Sequence, residues 1–171
     1  MKIKLLLILP IFIFAFNIKE EYISQNYKDV CLYGINHLQN IKKDENMLSL
    51  IGISCVKSDY FIYLPAIINN LKYSKQARKN SIYFSLLFVE KKLLYSYMLD
   101  HTDLSFYRFP LIKHPISIVL NNIIKNNFTK INNKIVVNYK NIIYKIYMGN
   151  ENKMFIDVYK NNNLIQRHWY R

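Results

Sequence analysis

Glycine, cysteine and tryptophan are scarce in this chain of 171 residues, which contains three, two and one of them. Three glycines are too few for a glycine-rich phosphate-binding loop, a collagen repeat or a flexible glycine linker. Two cysteines cannot form the framework of a small disulfide-rich protein. With 51% hydrophobic and 15% aromatic residues, the chain is also too apolar to be disordered. Together, these features of the composition indicate a folded protein with its own hydrophobic core.

Acidic residues are also few: 11 Asp and Glu stand against 24 Lys and Arg, which gives a net charge of +13. The excess is concentrated in residues 101–171, which hold 11 basic and three acidic residues. A basic half of this kind favours an anionic partner, such as an acidic protein or a charged surface. Codon bias is the alternative explanation, because Ile, Asn, Lys and Tyr dominate the chain. Since the basic residues are scattered and few are arginine, we expect no nucleic-acid partner.

The N-terminal segment has the layout of a secretory signal peptide. Two lysines precede an unbroken apolar run from Leu5 to Phe16, and a polar stretch follows at once. The 12 residues of this run fall short of the roughly 20 that a transmembrane helix needs. We therefore expect cleavage after Ala15, which removes residues 1–15 as a signal peptide, and export to the periplasm without a stable transmembrane span. An uncleaved membrane anchor is the alternative.

Apolar periodicity predicts helices in the first two thirds of the chain. The predicted helices cover residues 22–40, 46–57, 58–73, 81–99 and 115–127. The fourth is expected to be one helix or two with a break near Glu90, whose side chain is expected to face solvent. We expect Ser58 and Asp59 to cap the third helix, and Pro65 to kink it or to mark its true start.

Residues 129–171 change to a strand pattern, in which β-branched and aromatic runs alternate with Asn-rich turns. The four runs begin at Ile135, Ile142, Met154 and Leu164. They predict an antiparallel meander of three or four strands, with one face packed on helices and the other facing solvent. The predicted fold is therefore α+β. Helical hairpins occupy residues 16–100, a connector and a short helix occupy 101–128, and the meander occupies 129–171.

Small and apolar residues recur at fixed spacing in the helical part. The first copy consists of Leu50, Ile51, Gly52, Cys55, Lys57, Leu64, Ile68 and Leu71. A second, partial copy begins 33 residues later, with Ser85 matching Gly52 and Phe88 matching Cys55. The spacing over residues 22–100 resembles that of tetratricopeptide-type helical repeats, although Leu64 stands where that pattern has alanine. The resemblance implies a binding scaffold without catalytic residues of its own.

The stretch from Cys31 to Gly34 mirrors the stretch from Gly52 to Cys55 about Lys43, which lies in a polar turn. Residues equidistant from the turn of an antiparallel helical hairpin lie level with each other. We therefore expect Gly34 to face Gly52, and Cys31 to face Cys55. Facing glycines allow the close approach that a disulfide requires. We predict this disulfide in the exported protein, with two buried thiols as the alternative.

The sequence contains no recognisable catalytic set. It has neither the HExxH zinc motif nor the Gly-x-Ser-x-Gly nucleophile turn, and most acidic residues fall in predicted turns. We interpret the stretch from Asp100 to Asp103 as a helix end rather than a metal site, and His168 as a packed strand residue. No cofactor and no metal are therefore predicted.

Our main functional hypothesis is a non-enzymatic exported protein of a bacterial envelope that binds another envelope protein. We expect its contacts among aromatic and arginine side chains near the connector, because these residue types anchor most interfaces. The candidates are Tyr95, Tyr97, Phe106, Tyr107 and Arg108. One alternative is a ligand-binding protein or hydrolase, with a site between helices and sheet that uses His101, Asp103 or His114. The other is an exported inhibitor or immunity-type protein that acts through its basic half.

Overall fold

The computed structural model describes residues 16–171, so the predicted signal peptide and its cleavage position at Ala15 lie outside the described residues. Within this range, seven α-helices precede a five-stranded sheet, which confirms the predicted α+β class. The helices are α1 (Ile18–Ile23), α2 (Tyr27–Asn36), α3 (Leu38–Ile41), α4 (Glu45–Lys57), α5 (Leu64–Ile68), α6 (Lys75–Asp100) and α7 (Pro115–Ile124). The strands are β1 (Thr129–Ile131), β2 (Lys134–Tyr139), β3 (Ile142–Met148), β4 (Met154–Lys160) and β5 (Asn163–Tyr170).

Helices α4 and α6 each begin at a polar side chain that accepts hydrogen bonds from the first free backbone amides. Asp44 Oδ1 accepts from two amides at 3.0 Å before α4, and Ser74 Oγ accepts from Ala77 at 3.0 Å before α6. Helix α6 therefore starts earlier than predicted, and it runs unbroken to Asp100. No helix within residues 16–171 is both long and apolar enough to cross a membrane.

Two predicted helices are divided or shortened. The segment 22–40 contains the end of α1, the whole of α2 and most of α3, because Gln25 adopts a left-handed backbone at φ 63° and α2 ends at Asn36, with His37 as its C-cap. Only Leu64–Ile68 is α-helical within the predicted helix 58–73. Pro65 lies in the first turn of that short helix, where its missing amide is not needed for a hydrogen bond.

Helices α2 and α4 are joined by the predicted pair of cysteines. The Cα atoms of Cys31 and Cys55 are 4.9 Å apart and the sulfur atoms lie at disulfide distance, 2.06 Å. Both residues are fully buried. The sequence symmetry about Lys43 therefore predicted this contact correctly.

The predicted contact between the two glycines is wrong. A Cβ atom on Gly34 would lie 2.5 Å from the side chain of Ile51, and one on Gly52 would lie 2.3 Å from the ring of Phe84. Helix α4 packs against both α2 and α6, and Gly52 lies on the side that faces α6. Each glycine thus makes room for a large side chain of another helix rather than for the other glycine.

Glu45, in the first turn of α4, fixes the start of α6. Its carboxylate accepts hydrogen bonds from the backbone amides of Lys72, Tyr73 and Ser74 at 2.6, 2.6 and 2.7 Å. Desolvation raises the pKa of this group, but the hydrogen bonds outweigh it and lower the pKa to about 2. The carboxylate stays charged at neutral pH and holds the turn before α6 against α4.

The strands follow chain order across the sheet, and every neighbouring pair is antiparallel. Two hairpins turn through asparagine pairs with positive φ: Asn132 and Asn133 at 46° and 60°, and Asn161 and Asn162 at 50° and 63°. Asparagine tolerates this backbone, which tight hairpins require. The predicted strands are confirmed, and only the short, exposed strand β1 was not among them.

One face of the sheet packs against α6 and α7, as predicted. Ile135, Ile146 and Ile156 form a buried row across this face. The opposite face carries charged and aromatic side chains. On it, the Arg167 guanidinium donates to both carboxylate oxygens of Asp157 at 2.6 and 2.9 Å.

Replacing both cysteines, Cys31→Ala with Cys55→Ala, is expected to lower the free energy of unfolding by about 3.5 kcal/mol. The physical reason is that the disulfide closes a loop of about 25 residues in the unfolded chain. Urea unfolding measures the difference, and wild-type protein unfolded with reductant is the control that should match the variant. Equal stability with and without reductant would contradict the prediction, as would two freely alkylated thiols in the exported protein.

Gly52→Ala is expected to destabilise the protein by about 1–3 kcal/mol, because the new methyl group overlaps the Phe84 ring. Phe84→Leu removes the overlapping ring atoms, so the double variant should lose less than the sum of the two single losses. A double-mutant cycle of urea unfolding measures this coupling. Strictly additive losses would mean that the ring and the methyl group do not compete for space.

Candidate functional site

Two of the five residues predicted to bind a partner, Tyr95 and Tyr97, lie on α6. Tyr95 uses its hydroxyl to donate to the backbone carbonyl of Asn152 at 2.7 Å, so it connects α6 to the turn before β4. Tyr97 is partly buried, and burial raises the pKa of its hydroxyl. These two side chains are therefore engaged within the fold.

The other three predicted contact residues lie in the connector between α6 and α7. The Arg108 guanidinium donates to the backbone carbonyls of Ser105 and Tyr107, both at 2.6 Å, and so stabilises the connector's own turn. Phe106 is 86% exposed and Tyr107 is 38% exposed. Phe106 and Tyr107 are the members of the predicted set with freely accessible aromatic surface.

The residues proposed for a site between helices and sheet are separated. His101 ends α6 with a left-handed backbone at φ 56°, and it lines different clefts from His114. Asp103 accepts from the amide and hydroxyl of Ser105 at 2.8 and 2.9 Å, and these bonds lower its pKa. No group of three or more His, Cys, Asp or Glu side chains in residues 16–171 is arranged to hold a metal ion.

Asp59 joins the helical layer to the last strand. Helix α4 ends in a Schellman-type turn, in which the Tyr60 amide donates to the Cys55 carbonyl at 2.9 Å and Asp59 has φ 65°. Glycine is the usual residue at this position, and aspartate tolerates it. The Asp59 carboxylate accepts from His168 Nδ1 at 2.8 Å and from the Trp169 backbone amide at 3.3 Å.

The prediction that Ser58 and Asp59 cap a third helix is therefore wrong. Ser58 ends α4, and the Asp59 side chain contacts a strand 109 residues later. Both side chains of the Asp59–His168 pair are at most 8% exposed. Because Asp59 and His168 are 109 residues apart, no local sequence pattern predicts their contact. The sequence contains one indication of a special role for this residue: an aspartate, rather than a glycine, stands just after the C-cap of an apolar helix.

Along the outer edge of β5, one backbone amide is hydrogen-bonded to Asp59, whereas the stretch before it has no such partner among the described residues. We call this second stretch the open edge. The Trp169 amide donates to Asp59, so it points away from β4. Backbone groups alternate between the two sides of an antiparallel strand, and Arg167 therefore also directs its amide to the outer edge. There it meets no acceptor among the described residues.

Residues 163–167 are all exposed. A register shift between Val158 and Tyr159 leaves Ile165 as an extra residue of β5 between Leu164 and Gln166, so a further strand can pair with the backbone on either side of this bulge.

Two clefts lie beside this open edge, where β5 approaches the connector and the helices. They share four residues: Lys113, His114, Pro115 and Gln166. The first, which we call the apolar cleft, has a volume of about 460 Å³. It is lined mainly by Leu111, Ile112, Ile118, Tyr139, Ile142, Tyr144, Val158 and Ile165.

The second cleft, which we call the histidine cleft, has a volume of about 410 Å³. Its other lining residues are Tyr27, Ile53, Val56, Lys57, Tyr83 and His168.

His114 lies at the boundary of both clefts and begins α7. Its Nδ1 accepts a hydrogen bond from the Ile116 amide at 3.3 Å. Burial, followed by the electrostatic effect of the His168 ring, whose centre is 5.9 Å away, lowers the pKa of His114 to about 3. The ring is thus neutral at pH 7. Because Nδ1 is an acceptor, the proton lies on Nε2.

Glu90 fixes the connector beside the clefts. Ser117 Oγ donates to Glu90 Oε1 at 2.9 Å and accepts from the Ile112 amide at 3.0 Å. The prediction that Glu90 faces solvent is wrong, because α6 contacts α4 and α5 as well as α7, and Glu90 is fully buried. Burial raises its pKa to about 7. The second oxygen, Oε2, has no hydrogen-bond partner in the described part of the chain.

Glu90→Gln is expected to raise the free energy of unfolding at pH 8 by up to about 3 kcal/mol and to change it little near pH 4.5. The native pKa lies near 7, above the ordinary 4.5, so the native state binds more protons between these values. Wild-type stability contributed by this group is therefore lost as pH rises from about 4.5 to 7. Glutamine keeps an acceptor for Ser117 and carries no charge to desolvate.

Urea unfolding at a series of pH values measures this difference. His114, with its lowered pKa, acts in the opposite direction between about pH 3 and 6.5, but it is common to both proteins and cancels. Glu20→Gln, at an exposed position of α1, is the matched control. The prediction would be contradicted if Glu90→Gln raised the free energy of unfolding equally at every pH, or if Glu20→Gln changed it with the same dependence on pH.

Comparison of the chain with protein-family models, curated proteins and solved structures found no match in any of the three. The resemblance of residues 22–100 to tetratricopeptide-type repeats stays a prediction. The candidate site is therefore defined by its own geometry: the open edge of β5 and the two clefts beside it.

Proposed function

We propose that this protein is a non-enzymatic, exported component of a bacterial cell envelope that binds another envelope protein. The partner adds an extended strand to the open edge of β5. The observation that carries the proposal is the exposure of residues 163–167 beside a stretch of the same edge that Asp59 closes. In strand addition, main-chain hydrogen bonds supply affinity and neighbouring pockets for side chains supply specificity.

The side chains around the open edge support this mode of binding. Leu164 and Ile165 are 47% and 55% exposed. Proteins usually protect an edge strand by keeping it short, by placing charges on it or by a β-bulge, because exposed apolar edges pair with other chains. Strand β5 has a bulge at Ile165, yet both apolar side chains stay exposed. Ile165 also lines the apolar cleft together with Leu111 and Ile112. A strand docked along residues 163–167 therefore has an apolar depression within reach of its side chains.

Charge favours an acidic partner strand. Lys113 and Lys140 line the apolar cleft, and Arg167 lies on the edge strand itself, held by Asp157. Residues 101–171 as a whole hold 11 basic and three acidic residues. Attraction between exposed charges is screened by salt, so the affinity of the complex should fall as ionic strength rises.

Export to the periplasm is part of the proposal. It rests on the signal-peptide layout of residues 1–15. The approach of Cys31 and Cys55 to disulfide distance is compatible with it, because disulfides persist in oxidising compartments.

In-cell crosslinking tests the docking mode. A photo-crosslinking residue at position 165 is expected to capture one dominant envelope protein, because it lies at the open edge. The same residue at position 62 is the matched control, since Ile62 is 71% exposed on the helical part. Equal capture of the same protein from both positions would contradict docking at β5.

Arg167→Pro and Arg167→Ala separate strand addition from attraction by charge. Both changes remove the guanidinium, but proline also removes the amide that faces the open edge. Proline is tolerated at an edge strand where its nitrogen faces solvent. We expect the crosslink at position 165 to be lost in Arg167→Pro and retained in Arg167→Ala. Equal retention in both variants would overturn strand addition.

A further inference from the structure

We infer that a second copy of this chain packs against the solvent-facing side of α6, with the two helices antiparallel. The opposite side of α6 is buried in the core through Phe84, Leu87 and Leu94. The solvent-facing side carries an apolar stripe of its own, which we call the α6 stripe. It consists of Ile82, Leu86, Val89 and Leu93. This interface goes beyond the docking of a strand at β5 and does not depend on it.

The α6 stripe is not fully covered by any other element in residues 16–171. Ile82 and Val89 are 62% and 44% exposed, and Leu86 and Leu93 are half-buried. A single exposed apolar side chain is ordinary on a protein surface. Apolar side chains aligned along one face of a helix are instead the pattern of a face that packs against a further element.

The spacing of the α6 stripe specifies that this element is another α-helix. Its members are separated by four, three and four residues, and the average period of 3.5 is the one at which two helices wrap around each other. This period keeps the side chains on one seam, where those of a second helix fit between them. The core already holds α6 in its helical form, so association does not have to fold it.

The order of residues along the α6 stripe selects a second copy in antiparallel orientation. In a two-fold antiparallel pair, each residue lies opposite the residue of the partner subunit that is equally far from the centre. When the centre lies between positions 87 and 88, Ile82 is opposite Leu93 of the partner subunit. The same register places Leu86 opposite Val89 of the partner subunit. Each contact occurs twice by symmetry, so every member of the stripe meets an apolar side chain.

Charges at the two ends of α6 agree with this register. Lys75 lies seven residues before Ile82, and Asp100 lies seven residues after Leu93, so both continue the seam. Both residues are exposed, and the two-fold symmetry places Lys75 opposite Asp100 of the partner subunit. Two ion pairs of opposite charge therefore close the ends of the seam. Parallel pairing would instead place the two copies of Lys75 side by side, and such like-charge contacts are unfavourable.

Sedimentation of the purified exported protein at micromolar to millimolar concentrations tests the interface. We expect a reversible equilibrium between monomer and dimer. Val89→Glu places a charge against an apolar side chain of the partner subunit and should weaken the dimer by at least about tenfold. Ile23→Glu is the matched control, because Ile23 is 77% exposed on α1, which packs against α2 and α4. A monomer at every concentration overturns the proposal, and so do equal effects of the two changes.

Exchange of the terminal charges tests the antiparallel register. Lys75→Glu and Asp100→Lys each bring like charges together and should weaken the dimer by about three- to tenfold. The double variant restores opposite charges, so its dimer should be within about twofold of wild type. Both changes suit the helix dipole, so α6 is expected to stay folded. Additive losses in the double variant overturn the register. Crosslinking at position 165 reports on the β5 partner separately.

Discussion

The contact between Asp59 and the last strand determines how the two layers of the molecule meet. One carboxylate binds the His168 ring and the Trp169 amide, and it does so from a left-handed residue that costs roughly 1 kcal/mol relative to glycine. Leaving a buried hydrogen-bonding group without its partner typically costs about 1–3 kcal/mol, and more for a charged group, so the two bonds of this carboxylate together offset the backbone strain. It orients His168 toward the cleft, and it decides which part of the β5 edge remains open.

Other carboxylates act in the same way elsewhere in the fold. Glu45 holds the turn before α6 through three backbone amides, and Glu90 holds the connector through Ser117. Apolar packing is non-directional, whereas hydrogen bonds to a carboxylate fix orientation. Several of the few acidic residues therefore lie at junctions between elements of the fold. Most lysines remain on the surface, and the basic exterior follows from this division as well as from composition.

The features predicted correctly from sequence are those set by neighbours in the chain. Asparagine turns and β-branched runs located the strands, and mirrored spacing about Lys43 placed Cys31 beside Cys55. The features predicted wrongly depend on a third element. Gly52 faces Phe84 because α6 packs there, and Glu90 is buried because α7 covers it. The candidate site was the least predictable part, since it is built from residues that lie far apart in the chain.

The strand order of the sheet has a consequence for how the chain folds during synthesis. Each hairpin joins immediate neighbours, so its pairing is local and fast to form. The side-chain hydrogen bonds from the helical layer to the C-terminal part of the chain are different: they join residues 57 to 110 positions apart. Until His168 has been synthesised, the apolar face of the sheet and the facing sides of α6 and α7 therefore remain uncovered. During this interval the nascent chain exposes apolar surface that is prone to aggregation. Changes in β5 that slow its docking should therefore reduce the yield of folded protein more than they reduce the stability of what does fold.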